Sequence, residues 1–135
     1  MKEMSFEAVL TNIPEVTAFI DAELEAVDCG IKTQMQLDVA IDELFTNISS
    51  YAYGTEVGVA TVRFDFDEQT RMASVTFIDT GVPFDPTRRS DPDITLSAEE
   101  RPIGGLGIYL VKKTMDDVSY RWEDGKNILT ISKKV

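Results

Sequence analysis

The chain has 135 residues, a length that favours one domain built on one hydrophobic core. Its 24 acidic residues outnumber 13 basic ones, and the net charge of −11 argues against direct binding to nucleic acid or to an anionic membrane surface. With no histidine and a single cysteine, Cys29, histidine-based catalysis and an intramolecular disulfide are both excluded.

Ser5 to Leu10 reads as a first strand. Asn12 stands as an N-cap, with Pro14 and Glu15 in the first turn of a helix. Val16, Phe19, Ile20, Leu24 and Val27 recur at helical spacing, so this helix runs to about Asp28 and Gly30 ends it. A longer helix follows over about Lys32 to Tyr53, with Leu37, Ile41, Leu44, Ile48 and Tyr51 as its apolar stripe; Gly54 and Gly58 bracket its exit. Ala60, Val62, Phe64 and Phe66 then alternate with polar residues, and after a polar turn at Asp67 to Arg71 the alternation resumes at Ala73, Val75 and Phe77. Asp85 to Pro102 holds three prolines among charged and small polar residues, the composition of a binding loop or lid. A third helix begins near Gly105 and ends near Met115. Val118 to Trp122 and Asn127 to Ser132 close the chain as two strands joined at Asp124-Gly125, a strong hairpin signal. The order β-α-α-β-β-loop-α-β-β implies an α+β, two-layer sandwich: a mixed, mostly antiparallel sheet covered on one face by three helices. No apolar run approaches the ~18 residues of a membrane span. MKEMSF turns polar too early for a secretory leader, so the expectation is one cytoplasmic domain over residues 1–135.

Three places could carry chemistry. Glu43 and Asn47, four apart, share one helix face and flank its apolar stripe. Alone they read as an ordinary boundary pair, except that Glu43 has no Lys or Arg four residues ahead to account for it. Asp79 falls, by strand parity, on the same face as Val75 and Phe77, where a carboxylate is costly unless it accepts hydrogen bonds. It either caps the turn at Thr80-Gly81 or accepts from a ligand amine, with Gly81 letting a flat ring approach the backbone. Gly104-Gly105-Leu106-Gly107 opens the third helix, whose free amides and positive dipole end suit phosphate. Gly107 costs the first turn ~1 kcal/mol against alanine, so something must come close to it. No Lys-Ser/Thr follows for a Walker A loop, and no βαβ unit surrounds the glycines for a dinucleotide fingerprint.

In combination the boxes are specific: Glu43-Leu44-Phe45-Thr46-Asn47 running on to Tyr51-Ala52-Tyr53, then Asp79-Thr80-Gly81-Val82-Pro83-Phe84-Asp85-Pro86, then Gly104-Gly105-Leu106-Gly107-Ile108-Tyr109-Leu110-Val111. Their order and spacing resemble the GHKL superfamily of ATP-binding proteins (the Bergerat fold). Within it the chain is most similar to the bacterial anti-sigma factor serine kinases of the RsbW and SpoIIAB type. It departs from that pattern in carrying Ile48 where alanine usually follows the asparagine, and Tyr51 where histidine often stands. The resemblance implies ATP and Mg²⁺ as cofactors. By similarity Asn47 holds Mg²⁺ and Asp79 accepts from the adenine amino group. The base lies against Gly81, and phosphates meet the amides near Gly104, Gly105, Leu106 and Gly107. Glu43 is the general base. Arg101 is the best placed cation for the terminal phosphate, with Arg88 and Arg89 behind it. The implied partners are a sigma factor and a serine on a small STAS-domain protein, the anti-anti-sigma factor. The implied assembly is a homodimer. A nucleotide-gated binding module without kinase turnover is the alternative, and it would have no need of Glu43.

Overall fold

A computed structural model describes residues 1–88 and 106–135, with the side chain of Leu106 left aside. The expectations placed on Arg89, Arg101, Gly104 and Gly105, and on most of the segment from Asp85 to Pro102, lie outside the described residues. Strand β1 covers Lys2–Glu7, α1 Ile13–Ala26, α2 Ile31–Asn47, β2 Val59–Asp67, β3 Met72–Asp79, α3 Leu106–Thr114, β4 Asp117–Glu123 and β5 Lys126–Lys134. Short 3₁₀ turns occupy Leu10–Asn12 and Pro86–Arg88.

Asn12 does take the N-cap position of α1, but its side chain does not cap: Nδ2 donates back to the Glu7 carbonyl at 2.9 Å and pins the strand to the helix start. Nor does Gly30 end α1 with a left-handed residue. Asp28 takes that conformation at φ 58°, and Gly30, with extended backbone, is the N-cap of α2. The long second helix is real, but its last stretch, Ile48–Ala52, widens into a π-helical turn. Such turns are rare and concentrate at functional sites.

The sheet has the order β1-β2-β3-β5-β4, and all four pairings among the described residues are antiparallel. No parallel pair of the mixed kind occurs there. The closing hairpin turns through Asp124 and Gly125, both at positive φ (53° and 72°), which matches the twist of the strands it joins. At the β2–β3 turn Asp67 Oδ1 accepts from the amides of Gln69 and Thr70.

Strand alternation decides the rest. Ala60, Val62, Phe64, Val75, Phe77, Leu129 and Ile131 face the helices and are buried. Against them pack Val16, Ile20 and Leu24 of α1, Leu37, Ile41, Leu44 and Phe45 of α2, and Ile108 and Val111 of α3, in one cluster. The other face carries hydroxyl pairs, Ser74 with Ser132 at 2.9 Å and Thr76 with Thr130 at 3.0 Å. Polar residues on that face leave the helices a single side on which to bury their stripes. The register then sets Ala60, Asp79 and Asn127 side by side across β2, β3 and β5, at the end of the helix-covered face. None of the helices among the described residues is long and apolar enough to cross a membrane.

Candidate functional site

Asp79 ends β3 on the buried face and is only 5 % exposed. Its Oδ1 accepts from the Gly81 amide at 2.9 Å and from Asn127 Nδ2 at 2.9 Å. Oδ1 thus fills the turn-capping role, and Oδ2 takes no hydrogen bond among the described residues, so capping leaves one carboxylate oxygen unused by the fold. Burial pushes the carboxyl pKa up, and the bonds from Asn127 and Gly81 pull it partly back.

Asn127 is the residue that sequence reasoning missed. Its amide is fully used: Nδ2 also donates to the Val82 carbonyl at 2.9 Å, while Oδ1 accepts from the Phe84 amide at 3.1 Å and from the Tyr120 hydroxyl. One side chain thus aims Asp79 and anchors the stretch after Gly81. The signal was available, since period-two alternation puts Asn127 on the apolar face with Leu129 and Ile131, the argument that singled out Asp79.

Next to this network opens a narrow cleft, partly open to solvent, with Leu44, Asn47, Phe77, Asp79, Val82 and Phe84 among its walls. Tyr51 and Phe84 face each other across its mouth with ring centroids 6.3 Å apart. A mostly apolar slot with one buried carboxylate at its base suits a flat heterocycle carrying an amino group. Tyr53, from the π-helical end of α2, braces the site: its hydroxyl donates to the Val59 carbonyl at 2.6 Å and accepts from the Thr80 amide at 3.0 Å. Gly58 is required beneath its ring, since an added Cβ would lie 2.2 Å from the ring carbon Cζ.

The two other singled-out glycines are explained by protein atoms. A Cβ on Gly81 would lie 2.1 Å from the Ala52 carbonyl oxygen, so its missing side chain lets the end of α2 close onto β3, with the Val82 amide bonded to that same oxygen at 2.8 Å. A Cβ on Gly107 would lie 2.1 Å from Glu43 Cδ and 2.2 Å from Oε2. The close neighbour demanded by that glycine is therefore the Glu43 carboxylate, seated against the first turn of α3, where the helix dipole favours negative charge. Leu106 is the first residue of that helix.

Asn47 ends α2 on the cleft wall, half-buried, and its Nδ2 is buried without a hydrogen-bond partner among the described residues. A half-turn of the amide exchanges that unpaired end for Oδ1, the hard oxygen a divalent cation takes. Among the described residues there is no cluster of three or more carboxylate or thiol side chains able to cage a metal. The residues present fit Mg²⁺ held by one protein ligand and by the phosphates of a nucleotide. The fold thus brings Glu43, Asn47, Asp79, Gly81 and Gly107 to one end of the sandwich.

This combination defines a nucleotide-binding domain of the Bergerat type. The family model described as histidine kinase-like ATPase domain matches residues 6–133. The serine-protein kinase RsbW of Bacillus cereus (strain ATCC 10987 / NRS 248) is 30% identical over 136 residues, spanning 92% of this chain and 83% of that protein. The serine-protein kinase RsbW of Bacillus thuringiensis (strain Al Hakam) is 29% identical over the same shares. Two solved structures share the fold. The crystal structure of the RsbU and RsbW domains of Rv1364c from Mycobacterium tuberculosis matches with a TM-score of 0.65 at 14% identity, over 99% of this chain and 32% of that one. The SiaB-SiaC complex from Pseudomonas aeruginosa matches with a TM-score of 0.60 at 17% identity, over 98% and 89%. This chain spans about a third of the mycobacterial one. The chain belongs to the histidine kinase-like ATPase domain family, and within it to the ATP-dependent serine-protein kinases of the RsbW type.

Proposed function

We propose that this kinase transfers the terminal phosphoryl group of ATP to a serine on a STAS-domain anti-anti-sigma protein, and that its nucleotide-bound form sequesters a sigma factor as a homodimer. The observation that carries the catalytic half is the Glu43 carboxylate seated against Gly107, one helical turn from Asn47 on the cleft wall. Glu43 takes the proton from the serine hydroxyl as its oxygen bonds to phosphorus and ADP leaves with the broken bond's electron pair. Asp79 Oδ2 accepts from the adenine amino group, with Gly81 alongside the base. Asn47 presents its amide oxygen to Mg²⁺, which when bound neutralises phosphate charge. The amides from Gly104 to Gly107 and the guanidinium of Arg101 receive the phosphates in this reading.

The test is transfer of labelled phosphate from ATP to purified STAS-domain proteins. Glu43→Gln keeps the side-chain shape, so it binds Mg-ATP as the parent does and loses transfer by ~10²–10⁴-fold. Asn47→Ala loses Mg-ATP binding and transfer together. Parental transfer by Glu43→Gln refutes the general base. A parent that labels no serine but still binds partners in an ATP-dependent way leaves a nucleotide-gated binding module.

A further inference from the structure

Helix α2 is apolar on two sides. Leu37, Ile41 and Leu44 enter the core, yet Ile31, Met35 and Val39 form a second stripe at i, i+4, i+8 that is 77 %, 62 % and 57 % exposed. A surface helix needs one apolar face, and a second exposed one marks a binding surface. Leu110 and Thr114 of α3 form the opposite wall of an open groove. The two helices run antiparallel, so the stripe that begins at Ile31 against Thr114 reaches, one turn past Val39, the Glu43 carboxylate against Gly107. From Ile31 to Glu43 is twelve residues, about 18 Å of helix.

Charge selects the occupant. In a chain of net charge −11, no acidic side chain among the described residues lines this groove, and the charged lining residue among them is Lys32, at the end far from Glu43. We propose that the groove docks the phosphoacceptor protein itself. An amphipathic segment of that protein lays apolar side chains, spaced one helical turn apart, along Met35 and Val39. It sets a carboxylate against Lys32, and its other end delivers the serine hydroxyl to Glu43. This rests on the reading of the chain as a kinase for a STAS-domain protein and adds where that substrate is held.

The experiment is steady-state transfer to a purified STAS-domain protein that the parent labels, with protein and ATP varied separately. Met35→Glu and Val39→Glu are exposed substitutions that leave the core intact. Each raises the KM for the protein about tenfold or more while the KM for ATP and kcat hold. Lys32→Glu raises the same KM and reverses its dependence on salt. Val57→Glu, equally exposed but outside the groove, changes nothing. Unchanged protein KM in both groove variants overturns the docking site while leaving the kinase reading intact. A fall in solution mass on Met35→Glu, by light scattering, overturns it in favour of a second copy of the chain. A parent that labels no STAS-domain protein overturns both readings together.

Discussion

Gly107→Ala tests whether the glycine of α3 exists for the Glu43 carboxylate. Position 107 lies in the first turn of the helix and is not among the glycines at positive φ, so alanine fits its backbone. By propensity alone the exchange stabilises the helix by ~1 kcal/mol. In the parent, however, the new Cβ would lie 2.1 to 2.5 Å from three atoms of the carboxylate. Those atoms are the far end of a flexible side chain, so the carboxylate moves rather than the helix. It then gives up its place by the positive end of α3, worth about 0.3–1 kcal/mol, up to ~2 where partly buried. The two effects nearly cancel, and Gly107→Ala alone leaves stability within about 1 kcal/mol of the parent. Once Glu43→Ala has removed the carboxylate, the same exchange stabilises by the full ~1 kcal/mol. The coupling, about 1 kcal/mol, is read from urea unfolding of the four proteins in a double-mutant cycle. Equal gains from Gly107→Ala in both backgrounds refute the packing argument. Transfer activity supplies a second reading: under the proposed general-base role of Glu43, Gly107→Ala displaces that carboxylate and lowers the rate in the parent.

Two further outcomes follow from Asp79, which is buried, and Asp38, which is half-buried. Under the proposed adenine role of Asp79, Asp79→Asn turns a donor toward the adenine amino group and leaves the bonds from Gly81 and Asn127 to a weaker acceptor, so calorimetry should show ATP binding weakened by ~1–3 kcal/mol; equal affinity removes the adenine role. Asp38 of α2 lies beside Asp21 of α1, and burial first, then the hydrogen bond and charge of Asp21, push its pKa up to about 7 from 3.8. The folded chain therefore holds a proton that the unfolded chain has lost, and stability falls as pH rises from about 4 to about 7. Asp38→Asn carries no such slope. It should gain about 1 kcal/mol over the parent at pH 8, a figure reduced for the site's partial exposure, and little at pH 4. A difference independent of pH in thermal unfolding contradicts the shared-proton pair.

The architecture was legible because periodicity is a local property. Ala60 to Phe66 alternates with period two and Val16 to Leu24 recurs with period 3.6, and each element lies within two or three residues of its expected place, save that α2 ends at Asn47 and reaches Ala52 only through the π-helical turn. Asp124-Gly125 demanded positive φ and has it. The misplacements occur where one residue type serves two conformations. Gly30 suits a left-handed helix end, but Asp28 took that position. Asn12 suits a cap, but the Glu7 carbonyl lay within reach of its amide. The widening of Ile48–Ala52 left no trace in the apolar stripe, because one extra residue per turn shifts a short stripe too little to see.

For the site, the sequence by itself determined which residue types stand where: a carboxylate on a buried strand face at Asp79, an acid and an amide one turn apart at Glu43 and Asn47, and glycines that needed a close neighbour. It left open who the neighbours are, since contacts between residues far apart in sequence, such as Ala52 with Gly81, Asp79 with Asn127 and Glu43 with Gly107, depend on register and on how the helices seat on the sheet. Only the tertiary structure set Asn127 beside Asp79, through the pairing of β3 with β5. It also assigned the space at Gly81 to the Ala52 carbonyl and the space at Gly107 to Glu43. A missing side chain is visible in one dimension, but what fills its place is decided by packing in three.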